Sequence, residues 1–289
     1  MKHLSLFIEL TRLTKPIGFM LLFWPCAWGL TLAYNFEDNL NLYFFYLILF
    51  FLGSVLMRSA GCIVNDIFDK DFDQKVSRTK NRPIASGKIS IKVAIIYSCI
   101  LCLIAFLVLL NFNNFTIILA LGSMPLAFSY PLMKRFTYWP QLFLGITFNY
   151  GLILGWTAIN DGIELTPLLF YCGAIFWTLG YDTIYGYQDI KDDEIIGIKS
   201  TSIKFKKVAK QFLFLCYFFF TTILVLIGLK MNFNFFYYFF LLVPIIYLFV
   251  YQIRIFNPNN PNNCLRAFKS NNLFGLFVLV NVLIGKLNI

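Results

Sequence analysis

Asn41-Leu-Tyr-Phe-Phe-Tyr-Leu-Ile-Leu-Phe-Phe-Leu-Gly-Ser-Val-Leu-Met-Arg58-Ser-Ala-Gly-Cys-Ile-Val64 carries a single charge. The next nine residues, Asn65-Asp66-Ile-Phe-Asp69-Lys-Asp71-Phe-Asp73, carry four carboxylates. The apolar run exceeds the ~20 residues that cross a bilayer as a helix. Carboxylates set against a membrane are costly unless a cation compensates them. The same juxtaposition recurs once, where an apolar stretch ends in Asp189-Ile-Lys-Asp192-Asp193. Of the 14 acidic residues, nine fall in or beside these two stretches: Asp66, Asp69, Asp71, Asp73, Asp182, Asp189, Asp192, Asp193 and Glu194. Mg²⁺ is the natural counter-ion, being hard, oxygen-seeking and commonly accompanied by phosphate.

The 289 residues are 59% hydrophobic, 19% aromatic and 13% charged, far below the charge of a soluble domain. Repeated apolar runs place the chain among all-α polytopic membrane proteins, as one membrane domain over 1–289. Nine transmembrane helices are expected, at 17–34, 41–64, 91–110, 115–130, 139–159, 165–187, 208–229, 233–255 and 271–287. The span at 115–130 is short and contains Pro125.

For nine spans, 22 of the 24 Lys and Arg fall on one side, and only Lys230 and Lys286 on the other. By the positive-inside rule the N-terminus and both acidic stretches are then cytoplasmic and the C-terminus outside. The net charge of +10 is thereby explained by topology, without nucleic acid as a partner. Met1–Pro16 shows neither a cleavable signal nor the Arg/Ser-rich pattern of a transit peptide. A bacterial inner membrane is accordingly the expected location.

On a helix turning 100° per residue, Asn65, Asp69 and Asp73 share one face, within roughly 80°. Asp66 flanks that stripe, and Asp71 falls on the far side. Arg58 lies seven residues earlier on the stripe, about 10 Å deeper. An arginine inside a span is a functional candidate; it would either neutralise the stripe or grip an anionic substrate group by a bidentate fork. In the second stretch Asp189 and Asp193 are neighbours at i, i+4, with Asp182 on the same face and Tyr181 and Tyr185 on the same helix. Arg78, Lys80 and Arg82 follow the first stretch, Lys199 follows the second, and Tyr130-Pro-Leu-Met-Lys134-Arg135 ends the fourth span. Two acidic stretches with this many cations suit a metal-bound diphosphate. Each lysine taken singly also suits lipid headgroups. The loops 74–90 and 194–207 are the longest, with the character of lids.

Asp69 and Asp189 are 120 residues apart, as are Asp73 and Asp193, an interval that suggests a four-helix unit used twice. The seven cysteines lie mostly inside spans and read as small hydrophobes. With His3 the only histidine, no histidine-based metal site is available.

The chain resembles the UbiA superfamily of intramembrane prenyltransferases, and within it the branch that acts on 4-hydroxybenzoate. The resemblance runs almost end to end. It rests on Arg12-Leu-Thr-Lys-Pro-Ile-Gly, Arg58-Ser-Ala-Gly-Cys-Ile-Val-Asn-Asp66, Arg78-Thr-Lys-Asn-Arg-Pro-Ile-Ala-Ser-Gly87 and Tyr130-Pro-Leu-Met-Lys-Arg135. Tyr181-Asp-Thr-Ile-Tyr185, Asp189-Ile-Lys-Asp-Asp193 and Gly197-Ile-Lys-Ser-Thr201 continue it.

The resemblance implies nine helices around a central cavity, with a side portal for a long prenyl tail. Asn65, Asp69 and Asp73, flanked by Asp66, and Asp189 and Asp193 would hold Mg²⁺ with the diphosphate of a polyprenyl donor. Tyr130 and Lys134 fall on a further family motif. Arg78, Arg82 and Lys134 would stabilise the leaving diphosphate, and Asp182, Tyr185 and Lys199 would line the substrates. Arg58 or Arg135 would hold the carboxylate of 4-hydroxybenzoate. The rival expectations are the same chemistry on a homogentisate, naphthoate or haem acceptor, and a cation-coupled transporter.

Overall fold

In the computed structural model, which describes residues 2–287, all secondary structure among those residues is helical. The main helices are α1 (Lys2–Thr11), α2 (Ile17–Ala33), α3 (Leu40–Phe68), α4 (Ile91–Leu109), α5 (Asn114–Ser129) and α6 (Pro140–Thr157). They continue with α7 (Leu165–Gly186), α8 (Ala209–Lys230), α9 (Phe235–Ile246), α10 (Pro261–Lys269) and α11 (Asn271–Lys286). Five begin on side-chain caps that satisfy an otherwise unpaired backbone N–H. Asn39 accepts from Asn41, Ser90 from Val93, Asn113 from Thr116, Asn234 from Tyr237, and Asn260 from Asn262 and Asn263.

Among the described residues six segments are long and apolar enough to cross a membrane: Leu40–Phe68, Ile91–Leu109, Asn114–Phe136, Lys206–Lys230, Phe235–Ile255 and Pro261–Lys286. The short expected span at 115–130 is one of them. Its helix continues past Pro125 through a 3₁₀ turn, Tyr130–Leu132, into Met133–Phe136. Phe235–Ile255 likewise continues beyond Pro244 through a π-turn, Tyr247–Gln252, a usual adjustment where proline removes a backbone donor.

The expected count of nine is not confirmed. The spans expected at 17–34, 139–159 and 165–187 correspond to α2, α6 and α7, which are not among the six. α2 is apolar but, at 17 residues, shorter than any of the six, whereas α6 and α7 pack through small and polar groups and need not be apolar all round. A β-carbon on Gly29 would stand 2.0 Å from the Leu152 carbonyl oxygen, and one on Gly155 2.3 Å from that of Cys26. The buried Asn149 donates to Thr178 Oγ1 at 2.7 Å. By contrast α4 and α9 expose Ile96, Leu103, Leu107, Phe235 and Phe239, a surface that suits lipid.

Aromatic side chains fill the centre. Trp28 stacks on Phe170 at 5.5 Å and meets Trp177 at 5.0 Å. Both indole N–H groups are satisfied by α11: Trp28 donates to the Gly275 carbonyl and Trp177 to Asn271 Oδ1, each at 2.9 Å. A second, smaller core of Leu10, Ala60, Ile63, Ile84, Ile89, Ala94 and Leu101 seats α1 and the 74–90 loop against α3 and α4.

Candidate active site

The two acidic stretches meet at one end of the bundle. The first keeps its helical register through the end of α3, because Asp69 N–H donates to the Asn65 carbonyl at 2.9 Å and Asp73 N–H to that of Asp69 at 2.8 Å. Asn65, Asp69 and Asp73 therefore share a face, and Asn65 Nδ2 donates to Asp69 Oδ2 at 3.0 Å. Asp71 is exposed on the opposite side. In the second stretch Asp193 N–H donates to the Asp189 carbonyl at 2.9 Å, which stacks these two carboxylates along one turn.

The 74–90 loop bridges the stretches. Arg78 forms a forked contact with the Asp189 carboxylate, its Nε at 2.8 Å from Oδ1. Its Nη1 also donates to the Tyr185 hydroxyl at 3.3 Å. Ser77 N–H donates to Asp192 Oδ2 at 3.1 Å. Arg82 Nη1 reaches Asp73 Oδ2 at 2.7 Å and Asp66 Oδ1 at 3.1 Å. Lys134 is ion-paired with Asp69. Asp66, Asp69, Asp73 and Asp189 are thus neutralised from within by arginine or lysine. Burial pushes the Asp69 carboxyl up despite the pull of Lys134. Burial and the adjacent Asp189 carboxylate push Asp193 up to about 7.

Among the described residues no three acidic, His or Cys side chains converge as a metal-holding group. The ion pairs account for this, since the carboxylates point at guanidinium and ammonium groups. The donor set nonetheless fits a hard cation: every candidate ligand is an oxygen, and Asp69 Oδ1 is buried with no hydrogen-bond partner. Asp66, expected among the ligands, is placed otherwise. Only 2% of its side chain is exposed, and its Oδ1 takes contacts from both Arg12 and Arg82.

Three further expected residues divide. Arg58 is deep in the bundle, with its guanidinium over the Phe148 ring at 5.3 Å and its Nε without a partner. Asp182 and Tyr130 both lie within its electrostatic reach. Arg135 instead donates to the Phe68 carbonyl at 2.6 Å, closing the C-terminal end of α3. Lys199 is held by backbone carbonyls: its Nζ donates to that of Phe136 at 3.3 Å and its N–H to that of Lys134 at 3.0 Å. It ties the second loop to Met133–Phe136.

That loop is seated, against the expectation of a lid. Ser200, Thr201 and Ser202 are buried. Thr201 N–H donates to Gln141 Oε1 at 3.0 Å, its hydroxyl meets that of Thr183 at 2.7 Å, and Ser202 donates to the Thr183 carbonyl at 2.8 Å. Arg12 was not among the expected site residues, although it opens one of the family-like motifs.

The model of the UbiA prenyltransferase family matches residues 22–278. The chain belongs to the UbiA prenyltransferase family. It is 41% identical to the mitochondrial 4-hydroxybenzoate polyprenyltransferase of Homo sapiens, across 99% of this chain and 76% of that one. It is also 41% identical to the enzyme of that name from Drosophila melanogaster, across 97% and 71%. Two solved structures share the UbiA fold at low identity. A UbiA homolog from Aeropyrum pernix K1 superposes with a TM-score of 0.75 at 21% identity, covering 93% of this chain and 98% of the other. A UbiA homolog from Archaeoglobus fulgidus bound to GPP and Mg²⁺ superposes at 0.73 with 18% identity, covering 96% and 99%.

The two relatives are named as mitochondrial. This overturns the expected bacterial inner membrane, which rested on the leader-like pattern missing from Met1–Pro16. A multi-pass membrane protein remains.

Proposed function

We propose that this UbiA family member transfers a polyprenyl group from a polyprenyl diphosphate to 4-hydroxybenzoate, at the ring carbon ortho to the phenol, with release of diphosphate. The reaction belongs to ubiquinone biosynthesis. The observation that carries this reading is the 41% identity to enzymes of that name along nearly the whole chain. The whole of 1–289 acts as one membrane domain, with α2, α6 and α7 crossing beside the six apolar segments to make nine crossings around a central cavity.

Asn65, Asp69, Asp73, Asp189 and Asp193 would hold Mg²⁺ together with the diphosphate. Bound there, Mg²⁺ supplies positive charge to the diphosphate oxygens. Arg78, Arg82 and Lys134, now paired with Asp189, Asp73 and Asp69, would supply positive charge against the negative charge that develops on the leaving diphosphate as the allylic C–O bond breaks. Phe148, Tyr130 and Tyr185 shelter the allylic cation with their ring faces. Arg58 holds the acceptor's carboxylate, a role supported by its half-buried place in the bundle and its buried, unpaired Nε; Arg135 is already engaged in closing α3. The ortho carbon forms the new C–C bond, and its proton passes to water or to a carboxylate such as Asp182.

Membranes containing the chain, given radiolabelled 4-hydroxybenzoate and geranyl diphosphate with Mg²⁺ or with EDTA, test this. Label entering the organic phase only with Mg²⁺ is the expected result. No transfer to 4-hydroxybenzoate, with transfer to homogentisate or a naphthoate, would move the chain to a different acceptor.

A further inference from the structure

Arg12 lies outside the stretch that the family model matches, yet it reaches the first acidic cluster. It follows the last residue of α1 and holds φ at 57°, a left-handed conformation that is unfavourable for a non-glycine residue. Such a conformation persists where the surroundings over-determine it. Here they do so from both sides. Leu10 is fully buried in the small core with Ala60 and Ile63 of α3, and Phe7 meets Tyr97 edge-on at 5.2 Å. Beyond the bend, Lys15 N–H donates to the Arg12 carbonyl at 2.9 Å.

The bend delivers the guanidinium to Asp66 Oδ1. That same oxygen takes Arg82 Nη1 at 3.1 Å, and Arg82 Nη1 reaches Asp73 Oδ2 at 2.7 Å. A chain of four alternating charges, Arg12–Asp66–Arg82–Asp73, therefore runs from the α1–α2 bend to the oxygen-lined face. Asp66 is the buried hinge of this chain, and Arg12 is the partner that does not also touch the face.

We propose that Arg12 is a positioning residue: through Asp66 it fixes where Arg82 stands, and through Arg82 how Asp73 is presented to a metal-bound diphosphate. The proposal rests on the reading that the two acidic stretches bind a diphosphate. The alternative is a tether that merely holds α1 down.

The test uses the full chain in lipid nanodiscs. Calorimetry measures binding of inorganic pyrophosphate with Mg²⁺, and kinetics give separate KM values for geranyl diphosphate and 4-hydroxybenzoate. Arg12→Gly removes the guanidinium while accepting the left-handed backbone without strain, so the fold is kept. Arg12→Gly and Asp66→Asn should each weaken pyrophosphate binding and raise the donor KM about tenfold or more, the size expected for loss of a charged contact. The acceptor KM should stay within about twofold, Arg12→Lys should recover part of the loss, and the double variant should be no worse than Asp66→Asn, as coupled residues require. Unchanged pyrophosphate binding and donor KM in Arg12→Gly would overturn the proposal. So would an equal loss toward both substrates accompanied by a lower Tm, which is the signature of a tether. A wild-type chain that neither binds pyrophosphate nor transfers the prenyl group would overturn the functional reading itself.

Discussion

Asp69 offers one buried oxygen to nothing in the protein, while Asn65 and Lys134 engage the side chain from elsewhere. Replacing it by Asn keeps the shape and removes the charge that a metal would need. Asp69→Asn and Asp189→Asn are each expected to lower label transfer by a hundredfold or more, roughly the scale of a lost electrostatic contributor to a transition state, with membrane expression unchanged. Full activity in both would remove the metal assignment. For Arg58→Ala the expected change is in the acceptor: KM for 4-hydroxybenzoate rises roughly 10- to 100-fold, the equivalent of a charged hydrogen bond, and the donor KM is little altered. A change confined to the donor would reassign Arg58. The Asn65–Asp69–Asp73 stripe was legible in the sequence because it obeys a helical repeat that survives the end of α3. Arg12 was not, since its partner is 54 residues away and the left-handed bend that aims it has no periodic signature. The surroundings of Lys199 were hidden for a related reason: its chain proximity to Asp193 says nothing of the carbonyls at Lys134 and Phe136 to which it donates.

At the scale of elements, α2 and α6 approach until backbone meets backbone. Gly151 and Gly155 are spaced as neighbours on one helix face, and Gly29 faces them from α2, the small-residue contact by which membrane helices pack without a hydrophobic drive. Gly155→Ala is expected to destabilise by about 1–3 kcal/mol as overpacking does, read as a lowered Tm in detergent. Gly122→Ala, where an added β-carbon meets nothing within 4 Å, should leave Tm unchanged. Equal Tm values for the two would show that the α2–α6 contact yields. Hydropathy reads the outer helices α4, α8 and α9 well because lipid demands apolar side chains of them. It blurs α6 and α7 because helix neighbours accept glycine, threonine and asparagine, while α2 is apolar but short. The 194–207 loop was taken for a lid from its length and charge, whereas the threonine and serine hydroxyls that seat it on α7 carry no signal in a single sequence.

For the whole molecule, the 120-residue interval between the acidic stretches becomes a meeting of two faces, joined by Arg78 and Ser77 of one loop against Asp189 and Asp192. Because arginines and lysines already neutralise the site, the fold does not need a metal as its mortar, unlike small domains whose metal binding is their folding. EDTA is expected to leave Tm unchanged, and Mg²⁺ with pyrophosphate to raise it, by linkage worth about 2.7 kcal/mol at a hundredfold excess over Kd. A fall in Tm on chelation alone would contradict the internal pairing.

The internal pairs also make ligand capture a displacement. If the proposed reading holds, a diphosphate and its cations would have to take both halves of each ion pair at once, the arginines serving the phosphate oxygens and the carboxylates serving the metal. Neither partner alone is a good guest: bare diphosphate would face uncovered aspartates, and bare metal would face uncovered arginines. On the proposed reading the site would work as a coincidence detector, admitting the charged head of its donor only in company with the ion that lets it react.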